Sequence, residues 1–156
     1  MKEYKYDAKK FRMKVTVTGV FCVLILLYGV WQCIVTQEAI WAIVAFVAFY
    51  TVWNSFVTIS NPSKVTLSDE EIVFSAYGRE DHFPMTEITS FRVKDFPNVR
   101  KLFIRINNAS WFKGRYWIPA AFFNDTDELY KAILDIEERI HPNTLKSMAR
   151  YSHKKR

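Results

Sequence analysis

The chain has 156 residues, half of them hydrophobic and 17% aromatic, with two cysteines, four glycines and a net charge of +6. Two cysteines are too few for a disulfide framework, and so few glycines leave no glycine-rich loop to cradle a phosphate. The basic excess lies at the ends, +4 over residues 1–14 and +5 over residues 142–156, while residues 60–141 carry −2, which argues against a nucleic-acid-binding domain.

Residues 1–14 read as a basic N-terminal segment. Two uncharged stretches follow, residues 15–35 and 39–59, separated only by Thr36-Gln37-Glu38. About 20 apolar residues at 1.5 Å rise cross the hydrocarbon part of a bilayer, so the pair predicts a transmembrane helical hairpin over 15–59. No Lys or Arg occurs between Lys14 and Lys64. Positive residues stay on the cytoplasmic side, which places both termini in the cytoplasm and the hairpin in the plasma membrane. The first stretch is too long for a signal-peptide core, and a second span follows at once. Tyr28, Trp31 and Trp41 mark one interface, and Tyr50, Trp53 and Phe56 the other. Small residues recur at Cys22, Gly29 and Cys33 and at Ala42, Ala45, Ala48, Thr51 and Ser55, stripes that let helices approach closely within the hairpin or against a partner. Cys22 and Cys33 are about 16 Å apart along one helix and cannot pair with each other. Neither span carries an ionisable residue at mid-depth, which disfavours an ion pathway.

Ser60-Asn61-Pro62-Ser63 stops the second helix and opens a domain over residues 60–141. Here the apolar period changes to two: Val65 and Leu67; Ile72, Phe74 and Ala76; Phe91 and Val93; Leu102, Ile104 and Ile106; then an aromatic run from Arg115 to Ile118. Turn residues separate these runs, predicting an antiparallel sheet of five to seven short strands. Leu129, Ile133, Ile136 and Ile140 then recur at helical spacing, with Asn124 or Asp125 as N-cap and His141-Pro142 as the stop. Residues 142–156 form a basic C-terminal tail.

A curved antiparallel sheet of about seven strands with one C-terminal helix is the plan of pleckstrin-homology-like (PH-like) domains. Three pieces carry the resemblance: the strand–acidic turn–strand Lys64-Val65-Thr66-Leu67-Ser68-Asp69-Glu70-Glu71-Ile72, the corner His82-Phe83-Pro84-Met85-Thr86-Glu87-Ile88, and the strand-to-helix junction Tyr116-Trp117-Ile118-Pro119-Ala120-Ala121-Phe122-Phe123. With the hairpin before it, the chain resembles the YcxB-like bacterial PH-like membrane proteins. The resemblance implies an α+β membrane protein, a two-helix hairpin followed by a PH-like antiparallel barrel or sandwich with one C-terminal helix. It implies a binding or scaffolding module rather than an enzyme. Small proteins of this plan also resemble immunity factors for membrane-active bacteriocins.

No catalytic constellation stands out. His82, His141 and His153 are scattered and read as surface residues, so no metal or cofactor is expected. The acidic clusters fall in turns and no nucleophile motif accompanies them. The candidate contact surface is a basic and aromatic set on the later strands: Arg92, Lys94, Lys101, Phe103, Arg105, Trp111, Lys113 and Arg115, with Arg100 nearby. Lys9, Lys10, Arg12 and Lys14 at one end, and Arg150, Lys154, Lys155 and Arg156 at the other, are candidates for holding anionic lipid, at about 1 kcal/mol per charge near a membrane. The expected partners are anionic membrane lipids and a membrane or cytoplasmic protein. The alternatives are bacteriocin-type self-protection and a homo-oligomeric structural or transport component.

Overall fold

A computed structural model describes residues 1–110 and 112–142. Strand β1 (Lys2–Lys5) comes first, then helices α1 (Ala8–Thr36) and α2 (Ala39–Val57). Six strands follow: β2 (Lys64–Leu67), β3 (Glu71–Ala76), β4 (Arg79–Pro84), β5 (Phe91–Phe96), β6 (Lys101–Ile106) and β7 (Arg115–Pro119). Helix α3 (Thr126–Ile140) closes the order.

The two long helices form an antiparallel hairpin. At 29 and 19 residues they extend about 44 and 28 Å, the second close to the thickness of a hydrocarbon core. Their apolar windows are only 11% and 6% buried, so they are not the core helices of a soluble fold. Phe21, Leu24, Leu27, Ile34, Ile43 and Phe46 all point outward, an apolar surface far larger than a soluble monomer leaves in water. By length, composition and exposure these helices are two candidate membrane spans. Part of the small-residue stripes, Gly29 on α1 and Ala45 on α2, meets inside the hairpin. A Cβ on Gly29 would meet the Ala45 backbone at 3.3 Å, and Ala48 is buried. Gln37 adopts a left-handed conformation (φ 55°) and donates its N–H to the Cys33 carbonyl at 3.1 Å, which ends α1 and reverses the chain. At the other end both helices widen to π winding, over Arg12–Val17 and Trp53–Val57.

The first residues are not a solvated tail. Tyr4 and Tyr6 alternate with Lys5, and that period of two turns both rings into the core, where they are 2% and 7% exposed. Strand β1 pairs antiparallel with β2, Tyr4 opposite Val65. The hairpin is therefore inserted between two neighbouring strands of one sheet. That sheet runs β1-β2-β3-β4, and a second runs β5-β6-β7. β4 (Arg-Glu-Asp-His-Phe-Pro) shows no clean apolar alternation, because it is an edge strand burying only Phe83 deeply. The expected barrel is not closed: among the described residues no strand of one sheet pairs with a strand of the other. The sheets instead share one core and are tied at one corner by a Tyr6–Phe123 bridge and by Asp7 N–H to the Phe122 carbonyl at 2.8 Å.

Ile72, Phe74, Phe91, Leu102, Ile104, Ile106 and Ile118 fill that core together with Leu129 and Ile133 of α3. Phe74 stacks on Tyr116 at 3.9 Å, and the Tyr116 hydroxyl donates to Asp81 at 2.6 Å. Burial, reinforced by the Asp81 carboxylate, holds that phenol far above the usual tyrosine range. Helix α3 lies along the outer edge of β5 and supplies acceptors to its backbone. Val93 N–H donates to Glu137 Oε1 at 2.7 Å and Phe91 N–H to His141 Nε2 at 3.1 Å. His141 is thus an edge-strand cap rather than a plain surface histidine. Asp125 occupies the N-cap position of α3 but caps nothing with its side chain. Asn124 instead accepts from Lys5 N–H at 2.6 Å, binding the helix entrance to β1.

Removing the Tyr4 ring is expected to cost the β-domain about 3 kcal/mol or more, as large aromatic truncations in a core do. Thermal unfolding of the full-length Tyr4→Ala protein in detergent measures this. A melting temperature equal to that of the native chain would show that β1 is dispensable.

Candidate functional site

The β-domain meets the hairpin at two places. The β3–β4 turn is a two-residue loop, Tyr77-Gly78, with both φ angles positive (52° and 75°), the geometry that matches strand twist in a tight hairpin. It carries Tyr77 to the hairpin base, where its hydroxyl lies 2.9 Å from Thr16 Oγ1 and its ring 5.5 Å from Phe11 and 5.8 Å from Phe56. Arg79 beside it donates to the Phe56 carbonyl and, at 2.7 Å, to the Val57 carbonyl. A cation is thereby placed on the free carbonyls at the end of α2. The second meeting place is on the other sheet. Trp117 N–H donates to the Ser60 carbonyl at 2.7 Å, and Trp53 meets Phe112 edge-on at 5.4 Å.

These two points set the outer face of β5-β6-β7 beside the end of α2. Register makes this face a lattice. Arg92 lies opposite Arg105, and Arg105 opposite Arg115. The next row is Lys94, Phe103 and Trp117, and the third contains Phe96 and Lys101. Phe103 and Trp117 are 4.4 Å apart, Lys101 sits 4.3 Å over the Trp117 ring, and Lys94 lies 5.4 Å from the Phe96 ring. Among the described residues no carboxylate pairs with any of these five cations. Like charges directly opposite on neighbouring strands repel, so the arginine row opposes stability. Arg92 and Arg105 border an open hollow of about 650 Å³ with Thr89, Ser90 and Asn107. Asn107 shapes its wall from a left-handed backbone (φ 49°), its side-chain oxygen accepting from Thr89 and Ser90 N–H at 2.9 and 3.1 Å.

Six of the eight candidate contact residues fall on this face. Lys113 does not: it crosses to β4, 4.7 Å from the Phe83 ring, and donates to the His82 carbonyl at 3.3 Å. Trp111 lies outside the described residues, as do Arg150, Lys154, Lys155, Arg156 and His153. Arg100 pairs with Asp127 at 2.7 Å, away from the row. Lys9, Lys10, Arg12 and Lys14 lie on the first turns of α1, capped by Asp7, and Lys10 and Lys14 sit 5.5 and 4.0 Å from the Phe122 ring. They thus lie within the first two turns of the helix rather than in an extended tail. His82 lies between Glu71 and Glu80, at 3.2 and 3.5 Å, on the other sheet.

Trp117 belongs to the face although only its strand neighbours stood out in the sequence. Its spacing of two from Arg115 was the available signal. Trp53, Asn54 and Ser60, which the chain's pattern assigns to a membrane interface and a linker, line a second hollow against Phe103, Arg115 and Trp117. No local pattern brings those segments together. Compared with family models, curated proteins and solved structures, the chain matches none.

Replacing Arg105, the middle member of the row, by Glu turns two repulsive cross-strand pairs into attractive ones. Arg105→Glu is expected to stabilise the β-domain by about 1 kcal/mol at low salt, with the gain shrinking as ionic strength rises. Denaturation at two salt concentrations checks it, and a salt-independent loss of stability would contradict the arginine-row reading.

Proposed function

We propose that this chain is a membrane-anchored, PH-like binding module that engages an anionic protein segment or lipid head group at the cytoplasmic surface of the plasma membrane. The observation that carries the reading is the unpaired row Arg92–Arg105–Arg115 with its aromatic neighbours, set beside the end of α2. A fold tolerates three facing guanidinium groups most readily where an external anion relieves them. The aromatic rings supply flat apolar area and cation–π support beside the charges. A four-stranded and a three-stranded antiparallel sheet over one core, with a C-terminal helix along one edge, support the PH-like assignment of the β-domain.

Anchoring changes what a weak contact achieves. A partner confined to the same surface is present at an effective concentration on the order of millimolar, so modest affinity suffices. The hairpin supplies confinement, the basic turns of α1 add attraction to acidic lipid, and the three-stranded sheet supplies selectivity. The cluster of Lys9, Lys10, Arg12 and Lys14 and a hairpin tip without Lys or Arg support the cytoplasmic side.

Two measurements test the reading. Tags fused to either end should resist a protease added to intact cells and become cleavable once the membrane is opened. Cleavage in intact cells would reverse the orientation. Charge reversal at Arg92, Lys94 and Arg105 to Glu should abolish photocrosslinking of partners to a probe on the β6 surface while membrane insertion is unchanged. Undiminished crosslinking would remove this face from the function.

A further inference from the structure

Where α2 ends against the three-stranded sheet, a hollow of about 250 Å³ is lined by Trp53, Asn54 and Ser60 on one side and by Phe103, Arg115 and Trp117 on the other. Most of its polar groups are engaged. Asn54 donates to the Tyr50 carbonyl at 2.8 Å and accepts from Ser60 Oγ at 3.3 Å, and Trp117 N–H is taken by the Ser60 carbonyl. Two buried donors have no partner among the described residues, Trp53 Nε1 and Arg115 Nε, and both belong to residues lining this hollow. Buried donors are nearly always satisfied, and the charged one calls for an anionic acceptor. Trp53 and Tyr50 also line a smaller groove of about 140 Å³ completed by Phe46 and Phe49, on the outward surface of α2. The polar hollow with its cation and the aromatic groove on α2 thus share two lining residues, Tyr50 and Trp53. Trp53 stands at the joint, where the helix changes to π winding and Thr58 N–H reaches back five residues to the Trp53 carbonyl at 3.1 Å.

The geometry points to a site for one anionic phospholipid. Its phosphate accepts from Arg115 Nε and Trp53 Nε1, and an acyl chain lies along Phe46 and Phe49. A free phosphate satisfies the two donors but leaves the groove unused, whereas a lipid of the bilayer around the hairpin meets both. The inference rests on the membrane placement proposed above and borrows Arg115 from the basic face, but Arg92, Lys94 and Arg105 take no part in it. A bound lipid would bridge hairpin and β-domain and neutralise one end of the arginine row.

The test uses the full-length protein in mild detergent, with native mass spectrometry and thermal unfolding as readouts. Phosphatidylglycerol should be retained as a single adduct at least tenfold more tightly than phosphatidylcholine and should raise the melting temperature of the native chain where phosphatidylcholine does not. Trp53→Phe and Arg115→Gln should each weaken retention about tenfold, the scale of one lost charge-assisted hydrogen bond. Glycerol phosphate and inorganic phosphate at millimolar concentration should not displace the lipid. Displacement by either would make this a soluble-anion site and overturn the lipid assignment. Equal retention of the two lipids, or undiminished retention by both variants, would overturn the site altogether. The triple reversal at Arg92, Lys94 and Arg105 should leave the adduct intact, so loss of partner crosslinking and loss of lipid are read separately.

Discussion

The pairing of β1 with β2 is the constraint on which the rest of this structure depends. Those strands are neighbours in the sheet but are separated in the chain by the whole hairpin. Tyr4 opposite Val65, and Tyr6 N–H bonded to the Ser63 carbonyl at 2.8 Å, bring the entry to α1 and the exit from α2 to one place. The loop between the strands is therefore closed by the two helices packing together, Gly29 against Ala45, and not by a flexible linker. Hairpin packing and sheet pairing support each other. Neither the first residues nor the later strands form the β-domain alone.

That closure has a mechanical consequence. A β-domain attached through one linker would turn freely about the hairpin, whereas two strand ends, the Tyr77 turn and the Arg79 cap hold this one against it. Orientation is what gives the arginine row its meaning. The same three guanidinium groups on a freely turning domain would be ordinary surface charge. Held beside the end of α2, they form a positive strip fixed relative to the hairpin. The repulsion within the strip is tolerated because the core beneath it is well packed: Leu102, Ile104, Ile106 and Ile118 are all 1% exposed or less.

The helices and most strands were legible along the chain because each rests on local periodicity. An uncharged run of twenty residues, an alternation such as Leu102-Phe103-Ile104-Arg105-Ile106, or a stripe at spacings of three and four reports its own structure. β1 and β4 escaped because their signals are short and mostly charged. Around β1 only Tyr4 and Tyr6, the latter just past the strand, alternate within a segment whose lysines speak of a tail. In β4 a single deep phenylalanine faces the core, as suits an edge. His141 escaped for a different reason: its partner, the Phe91 backbone, is fifty residues away. The face of Arg92, Lys94, Phe103, Arg105 and Arg115 was readable as alternating positions, but the register that lines up the three arginines was not.

Sequence alone determined that two apolar helices adjoin a β-rich domain ending in an amphipathic helix, since burial of each element follows from the spacing of its own side chains. Only the tertiary structure decided that the N-terminus is a strand of that domain, that the sheets stay two rather than close into a barrel, and that Trp53 and Arg115 share one hollow. Those outcomes depend on pairings between residues distant in the chain, whose hydrogen bonds and packing leave no periodic trace in either segment by itself.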